Sequence, residues 1–150
     1  MTFRSGFVAL VGRPNAGKST LTNALVGSKV SITSDTPQTT RHRISAVVNR
    51  EFSQVVLVDT PGIHKAIDAL GEEINRAALS ALEGVDIVAF LVDSTKPIGK
   101  GDAWVAEQVA KLKMPRAKIL VITKIDLATP EQVAFQLERA HELGKFDAVI

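Results

Sequence analysis

The sequence predicts an α/β domain with a mainly parallel sheet wrapped by helices on both faces, and two observations carry that expectation. Short apolar runs of strand length alternate with longer segments of helical period from residue 7 to residue 150, the order that crossover helices between parallel strands produce. Two of the runs, residues 54–59 and 86–92, are apolar almost without interruption, as strands covered on both faces are.

Residues 7–11 form the first apolar run, followed by a loop and then by residues 19–26, where Leu21 and Leu25 lie one helical turn apart. Residues 27–43 are polar, rich in Ser and Thr, and contain Pro37. That stretch is far longer than the usual connection of about 4 to 6 residues, so it reads as a functional or disordered loop. Residues 44–49 and 54–59 are a strand pair close enough for a hairpin, which would give one antiparallel edge strand. After the Pro61-Gly62 break, residues 72–83 place Ile74, Ala78 and Leu82 on one helical face, and Gly84 marks the end.

A strand at 86–92 precedes a helix at 102–113, with Val105, Val109 and Leu112 aligned, and a strand at 118–122. Thr129, Pro130 and Gln132 supply an N-cap, a proline at the first helical position and the partner of a capping box. The helix they open runs to about Leu143, and residues 147–150 begin a last strand.

The length of 150 residues suits one domain, domains being commonly about 100 to 200 residues. A hydrophobic content of 45% against 23% charged residues is that of a chain that folds. No apolar run reaches a membrane span and no signal-peptide pattern opens the chain. The expected address is the cytoplasm, with no membrane span and peripheral association left open. The absence of cysteine excludes disulfides, thiolate zinc sites and a cysteine nucleophile, and His42, His64 and His141 lack metal-ligand spacing. A net charge of +2, with Arg41-His42-Arg43 as the densest basic run, does not by itself name a nucleic-acid partner.

Gly12, Arg13, Pro14, Asn15, Ala16, Gly17, Lys18 and Ser19 match G-x-x-x-x-G-K-[ST] between a predicted strand and a predicted helix, the context a phosphate-binding P-loop requires. Its backbone N–H groups and the positive end of the following helix would meet phosphate oxygens. Lys18 would reach the β- and γ-phosphates and the Ser19 hydroxyl would ligate Mg²⁺, with Thr20 completing the string. Asp59, Thr60, Pro61, Gly62 and Ile63 follow a buried-type strand directly, so Asp59 sits at the sheet edge where α/β ligands bind. Asp59 would hold Mg²⁺ through water, and the Gly62 amide would approach the γ-phosphate where a side chain would block it. Within Gln38-Thr39-Thr40-Arg41, one threonine hydroxyl would complete the Mg²⁺ shell while a triphosphate orders the loop.

Thr123, Lys124, Ile125 and Asp126 close another buried-type strand and match [NT]-K-x-D. An ionised Asp126 only accepts hydrogen bonds, which suits guanine's N1–H and 2-amino group and not adenine's bare N1. The stem of Lys124 can cover the flat face of the base. GTP and GDP are therefore the expected ligands.

These motifs, together with Ser31-Ile32-Thr33-Ser34, Gln38-Thr39-Thr40-Arg41-His42 and Asp59-Thr60-Pro61-Gly62-Ile63-His64, resemble the Era family among the TrmE-Era-EngA-like, translation-associated P-loop GTPases. The resemblance runs from about Gly6 to Ile150, and the Gln-Thr-Thr-Arg-His string separates it from the related Der and MnmE families. It implies a P-loop GTPase domain and a GTP-hydrolysing switch in 16S rRNA maturation and small-subunit (30S) assembly. It also selects Thr40 as the Mg²⁺-ligating threonine, makes Lys18, Thr40 and Gly62 the candidate catalytic residues, and puts Asn15 where potassium-stimulated relatives help ligate K⁺. A residue such as Ile63, which can neither donate nor accept a proton, leaves hydrolysis to phosphate positioning, Mg²⁺ and a second cation.

The chain departs from that pattern in three places. Thr123 stands where many relatives have asparagine, and its shorter hydroxyl predicts a weaker tie between base loop and P-loop. The chain ends before the family's Ser-Ala guanine loop and final helix, and the family's RNA-binding KH domain, the expected route to the ribosomal subunit, has no counterpart among these residues. The rival readings are a nucleotide-binding module without turnover, or a Der- or MnmE-like GTPase of ribosome assembly or tRNA modification.

Overall fold

A computed structural model describes residues 2–27, 44–60, 63, 65–113 and 115–150. In chain order the elements are β1 (Arg4–Gly12), α1 (Lys18–Val26), β2 (Ile44–Arg50), β3 (Ser53–Val58), α2 (Ala69–Ala81), β4 (Ile87–Asp93), α3 (Lys100–Ala110), β5 (Ala117–Thr123), α4 (Pro130–Ala140) and β6 (Ala148–Val149), with a 3-10 turn at His141–Leu143. The strands form one sheet in the order β2-β3-β1-β4-β5-β6. Only β2 with β3 is antiparallel; β1 pairs parallel with β3 and β4, and β5 parallel with β4 and β6. This is the α/β architecture with one antiparallel edge strand that the sequence predicts.

Parallel pairing forces every loop that follows β1, β3, β4 and β5 to one edge of the sheet, and that places the motifs together. The main core lies on one face, where Ala9, Val11, Val58, Val88, Phe90, Val92, Leu120 and Ile122 meet Ala78 and Leu82 beyond the sheet and Val105, Ala106 and Val109 of α3. Phe90 stacks on Phe146 at 6.1 Å between ring centroids. On the other face, Leu10, Ala89 and Leu91 pack with Leu21 of α1.

Helix α4 begins as its sequence dictates. The Thr129 Oγ1 accepts from the Gln132 N–H at 3.2 Å, and the Gln132 side chain accepts from the Thr129 N–H at 2.8 Å. Helix α2 differs from expectation. It starts at Ala69, capped by the Asp68 carboxylate on the Gly71 N–H at 2.8 Å. Its buried face is Gly71, Asn75 and Ala78, while Ile74 stands exposed. Ala78 and Leu82 lie inward as predicted, whereas Ile74, 39% exposed, falls at the edge of that face and the polar Asn75 is enclosed beside it.

Candidate functional site

The loop after β1 holds its shape through two left-handed backbone positions, Asn15 at φ 65° and Gly17 at φ 102°, and a turn in which the Ala16 N–H donates to the Arg13 carbonyl at 3.1 Å. Gly12 is required for a different reason. A Cβ there would lie 2.9 Å from the Leu91 carbonyl oxygen and 3.2 Å from the Ala16 Cβ. Helix α1 then starts with neither a side-chain cap nor an acidic residue in its first turn. Its leading N–H groups are left for an anion, which the helix dipole also favours.

Lys18 turns back across this loop, its Nζ donating to the Gly12 carbonyl at 3.0 Å. Burial pushes its pKa below the ordinary lysine value, and the Asp59 carboxylate pulls in the opposite direction. An arriving phosphate would add to the counter-charge that Asp59 gives this half-buried ammonium and offset its desolvation further.

Two cavities meet at the loop and share Lys18 and Ser19. One, of about 180 Å³, is lined by Lys18, Ser19, Ser45 and Asp59; the other, of about 310 Å³, by Asn15, Gly17, Lys18, Ser19, Thr20 and Lys124. In the first, the Ser19 hydroxyl and the Asp59 carboxylate are hard oxygen donors of the kind Mg²⁺ takes when phosphates and water complete its shell. Among the described residues no group of three or more His, Cys, Asp or Glu could hold a metal ion. The second cavity runs from the phosphate loop to the base loop.

The base loop is tied to the phosphate loop twice. The Thr123 hydroxyl donates to the Ala16 carbonyl at 2.5 Å, so the tie expected to be weaker with threonine is made at short range. Lys124, at φ 60°, donates from Nζ to the Asn15 carbonyl and to Asp93 Oδ2, each at 2.7 Å. Asp93 also accepts from the Thr95 N–H at 2.8 Å and hydroxyl at 2.6 Å. Burial works to raise the Asp93 pKa, but the hydrogen bonds from Lys124 and Thr95 outweigh it and hold the carboxyl below its ordinary value. Asp126 and Ile125 are exposed beyond this tether.

Of the residues singled out in the sequence, Asn15, Gly17, Lys18, Ser19, Thr20 and Lys124 line one cavity, and Asp59 joins Lys18 and Ser19 in the other. Some side chains point elsewhere. The Thr60 hydroxyl is buried and donates to the Leu10 carbonyl at 2.7 Å, and Ile63 is fully buried in the main core. Any contact these two make with a nucleotide is left to their backbone, because their side chains pin the end of β3 to the sheet. Arg13 reaches away to Asp102, and Pro14 lines a small cavity beside Asp93 and Asp102. Thr40, Pro61, Gly62 and His64 lie outside the described residues.

Asp93 and Asp102 are absent from the sequence reading. Asp93 carried a signal, since an acid directly after an apolar strand run is the pattern that marked Asp59. Asp102 carried none, because its partner is 89 positions away.

The family described as "50S ribosome-binding GTPase" matches residues 7–124. The chain is 48% identical over 141 residues to GTPase Era of Corynebacterium diphtheriae, covering 94% of this chain and 46% of that protein. Among solved structures, an Era variant of Aquifex aeolicus bound to GDP and AlF4⁻ superposes with a TM-score of 0.75 at 36% identity, covering 97% of this chain and 50% of that one. Era in complex with MgGDPNP and nucleotides 1506–1542 of 16S ribosomal RNA gives 0.74 at 35% identity, covering 99% and 50%. The chain thus spans about half the length of the relatives it matches. With the loop of residues 12–19, Asp59 and the tethered loop at Thr123 and Lys124 on one sheet edge, and with this match over most of its length, the chain belongs to the 50S ribosome-binding GTPase family.

Proposed function

We propose that this chain is the nucleotide-binding domain of an Era-type GTPase, hydrolysing GTP to GDP and phosphate as a switch in 16S rRNA maturation and small-subunit assembly. The observation that carries the reading is the double tether of Thr123 and Lys124 onto the carbonyls of Ala16 and Asn15. It holds the loop that carries Asp126 against the phosphate loop, which supports reading Asp126 as the carboxylate that meets guanine. Asp126 accepts from guanine's N1–H and amino group, and adenine offers neither.

The chain's own residues do the positioning. Loop amides and Lys18 would hold the β- and γ-phosphates, Ser19, Thr40 and, through water, Asp59 would hold Mg²⁺, and the Gly62 amide would meet the γ-phosphate. Mg²⁺ supplies charge neutralisation on the phosphoryl oxygens. Ile63, directly after Gly62, offers no proton donor or acceptor in its side chain, so rate acceleration is assigned to phosphate positioning and electrostatics. A K⁺ beside Asn15, whose side chain is exposed at the rim of the loop, would add the cationic stabilisation that an arginine finger gives elsewhere.

The family's description names the 50S subunit, whereas the Era relative is solved with a 16S fragment. We favour the 16S side because its similarity covers nearly the whole chain. The chain spans about half the length of the Era relatives, and contact with rRNA and the subunit is assigned to the other half of an Era-type protein. Among the described residues no helix is long and apolar enough to cross a membrane; a cytoplasmic site of action is proposed from the likeness to Era. Multiple-turnover phosphate release from GTP, with K⁺ or Na⁺ as the only monovalent cation, tests the proposal. Binding of GDP without turnover would reduce the chain to a nucleotide-binding module, and displacement of GDP by ATP would sink the guanine assignment.

A further inference from the structure

The geometry points to Asp102 as a positioning residue for the phosphate loop, acting through Arg13; this rests on the guanine-nucleotide reading of the site. Arg13 Nη1 lies 3.3 Å from Asp102 Oδ2. The carboxylate side chain is only 8% exposed, against 48% for the arginine. The same Oδ2 accepts from the Gly99 N–H at 3.0 Å, so one oxygen closes the first turn of α3 and holds the loop.

Gly101 makes room for the contact. A Cβ at that position would be 3.1 Å from Arg13 Nε and 3.4 Å from its Cδ, tight enough that the arginine would have to shift by a few tenths of an ångström. The support beneath Asp102 is rigid. Val105, Ala106 and Val109 of α3 are buried in the main core, and Gln136 of α4, itself 3% exposed, donates its side-chain amide to the Lys96 carbonyl in the loop before α3.

The phosphate loop is therefore gripped from both ends of its arc. Thr123 and Lys124 hold Ala16 and Asn15 from the base-loop side, and Asp102 holds Arg13 from α3. A loop already fixed in its phosphate-binding curl loses less freedom when nucleotide arrives. Removing one grip should raise the dissociation rate and leave encounter almost unchanged.

Stopped-flow release of fluorescent GDP from the full chain tests this, using Asp102→Asn, Arg13→Lys and the double variant. Asparagine keeps an acceptor for the Gly99 N–H and removes the charge; lysine keeps the charge and removes the planar fork. Release should quicken about tenfold in Asp102→Asn, less in Arg13→Lys, and no further in the double variant, as expected of residues acting through one contact. Association rates should stay near wild type. Should Asp102→Asn fail to fold, the half-exposed Arg13→Lys carries the test alone. Folded variants with wild-type release overturn the role of Asp102 alone, even if their melting temperature falls. A wild-type chain that binds no GDP overturns the guanine-nucleotide reading together with it.

Discussion

The Thr123 hydroxyl and the Ala16 carbonyl meet at 2.5 Å although 107 positions separate them in the chain. The hydroxyl has one proton, and the Val92 carbonyl, at 3.2 Å, is the more distant acceptor, so the proton belongs to the phosphate loop. Thr123→Val keeps the shape and deletes the donor. It is expected to cost about 1 to 2 kcal/mol of stability and to weaken GDP binding, read by urea denaturation and by titration with labelled GDP. Thr123→Asn, which restores a longer donor, should bind at least as tightly as wild type.

Asp93 and Lys124 give the site an acid limit. The Asp93 carboxyl titrates below its unfolded value of 3.8. Its contribution is thus fully present above that pH and is lost as pH falls through the lower folded value. Asp93→Asn should be less stable than wild type at neutral pH, and the gap should close below pH 3.8. Parallel denaturation series of the two proteins, subtracted, isolate this from the other carboxylates; a gap constant down to pH 2 (a test condition set about two units below that value) would contradict it.

Lys18 behaves in the opposite sense. Its pKa is lowered by burial, so the charged form is a burden on the empty domain that is fully present at neutral pH and relieved as pH rises toward the unfolded value of 10.5. Lys18→Met is expected to raise the melting temperature without nucleotide, to abolish the rise that GDP gives wild type, and to eliminate turnover.

At Gly12 the expected result is structural. A methyl group would press on the Leu91 carbonyl at 2.9 Å, and neither β1 nor β4 can yield without breaking the parallel register between them. Gly12→Ala should cost about 1 to 3 kcal/mol and lower GDP affinity with it, measured by denaturation and by nucleotide titration on the same preparation.

Base choice is tested at Asp126. An amide in place of the carboxylate presents a donor to the base, which matches the 2-carbonyl of xanthine better than the 2-amino group of guanine. Asp126→Asn should lose guanine nucleotides by about 100-fold or more and gain xanthine nucleotides, as competition binding would show.

The order of strands and the loops that carry chemistry were legible because they rest on local signals. An apolar run ending in Asp59, in Gly12 or in Thr123 says where a strand stops, and parallel pairing brings such stops to one edge. The face of α2 was legible in part. Ala78 and Leu82 are enclosed as their spacing predicts, yet Asn75 is enclosed where the better hydrophobe Ile74 stays at the edge, because Asn75 lies one turn from both Gly71 and Ala78 on the inward stripe. Arg13 was read as touching nucleotide because it stands in the phosphate loop. Its partner Asp102 is brought near only by the closing of the sheet, which no spacing in the sequence reveals.

The tethers across the phosphate loop bear on how the domain is assembled in time. Strands β2 and β3 are separated by Glu51 and Phe52 alone and can pair early, whereas Thr123 must wait for β1, β4 and β5 to be in register before it finds Ala16. Contacts of such long reach are expected late on the folding path, with little formed at its rate-limiting step. Nucleotide, bound to the finished loop, should then act as a brake on unfolding and leave the refolding rate nearly untouched, so its protection is a matter of lifetime.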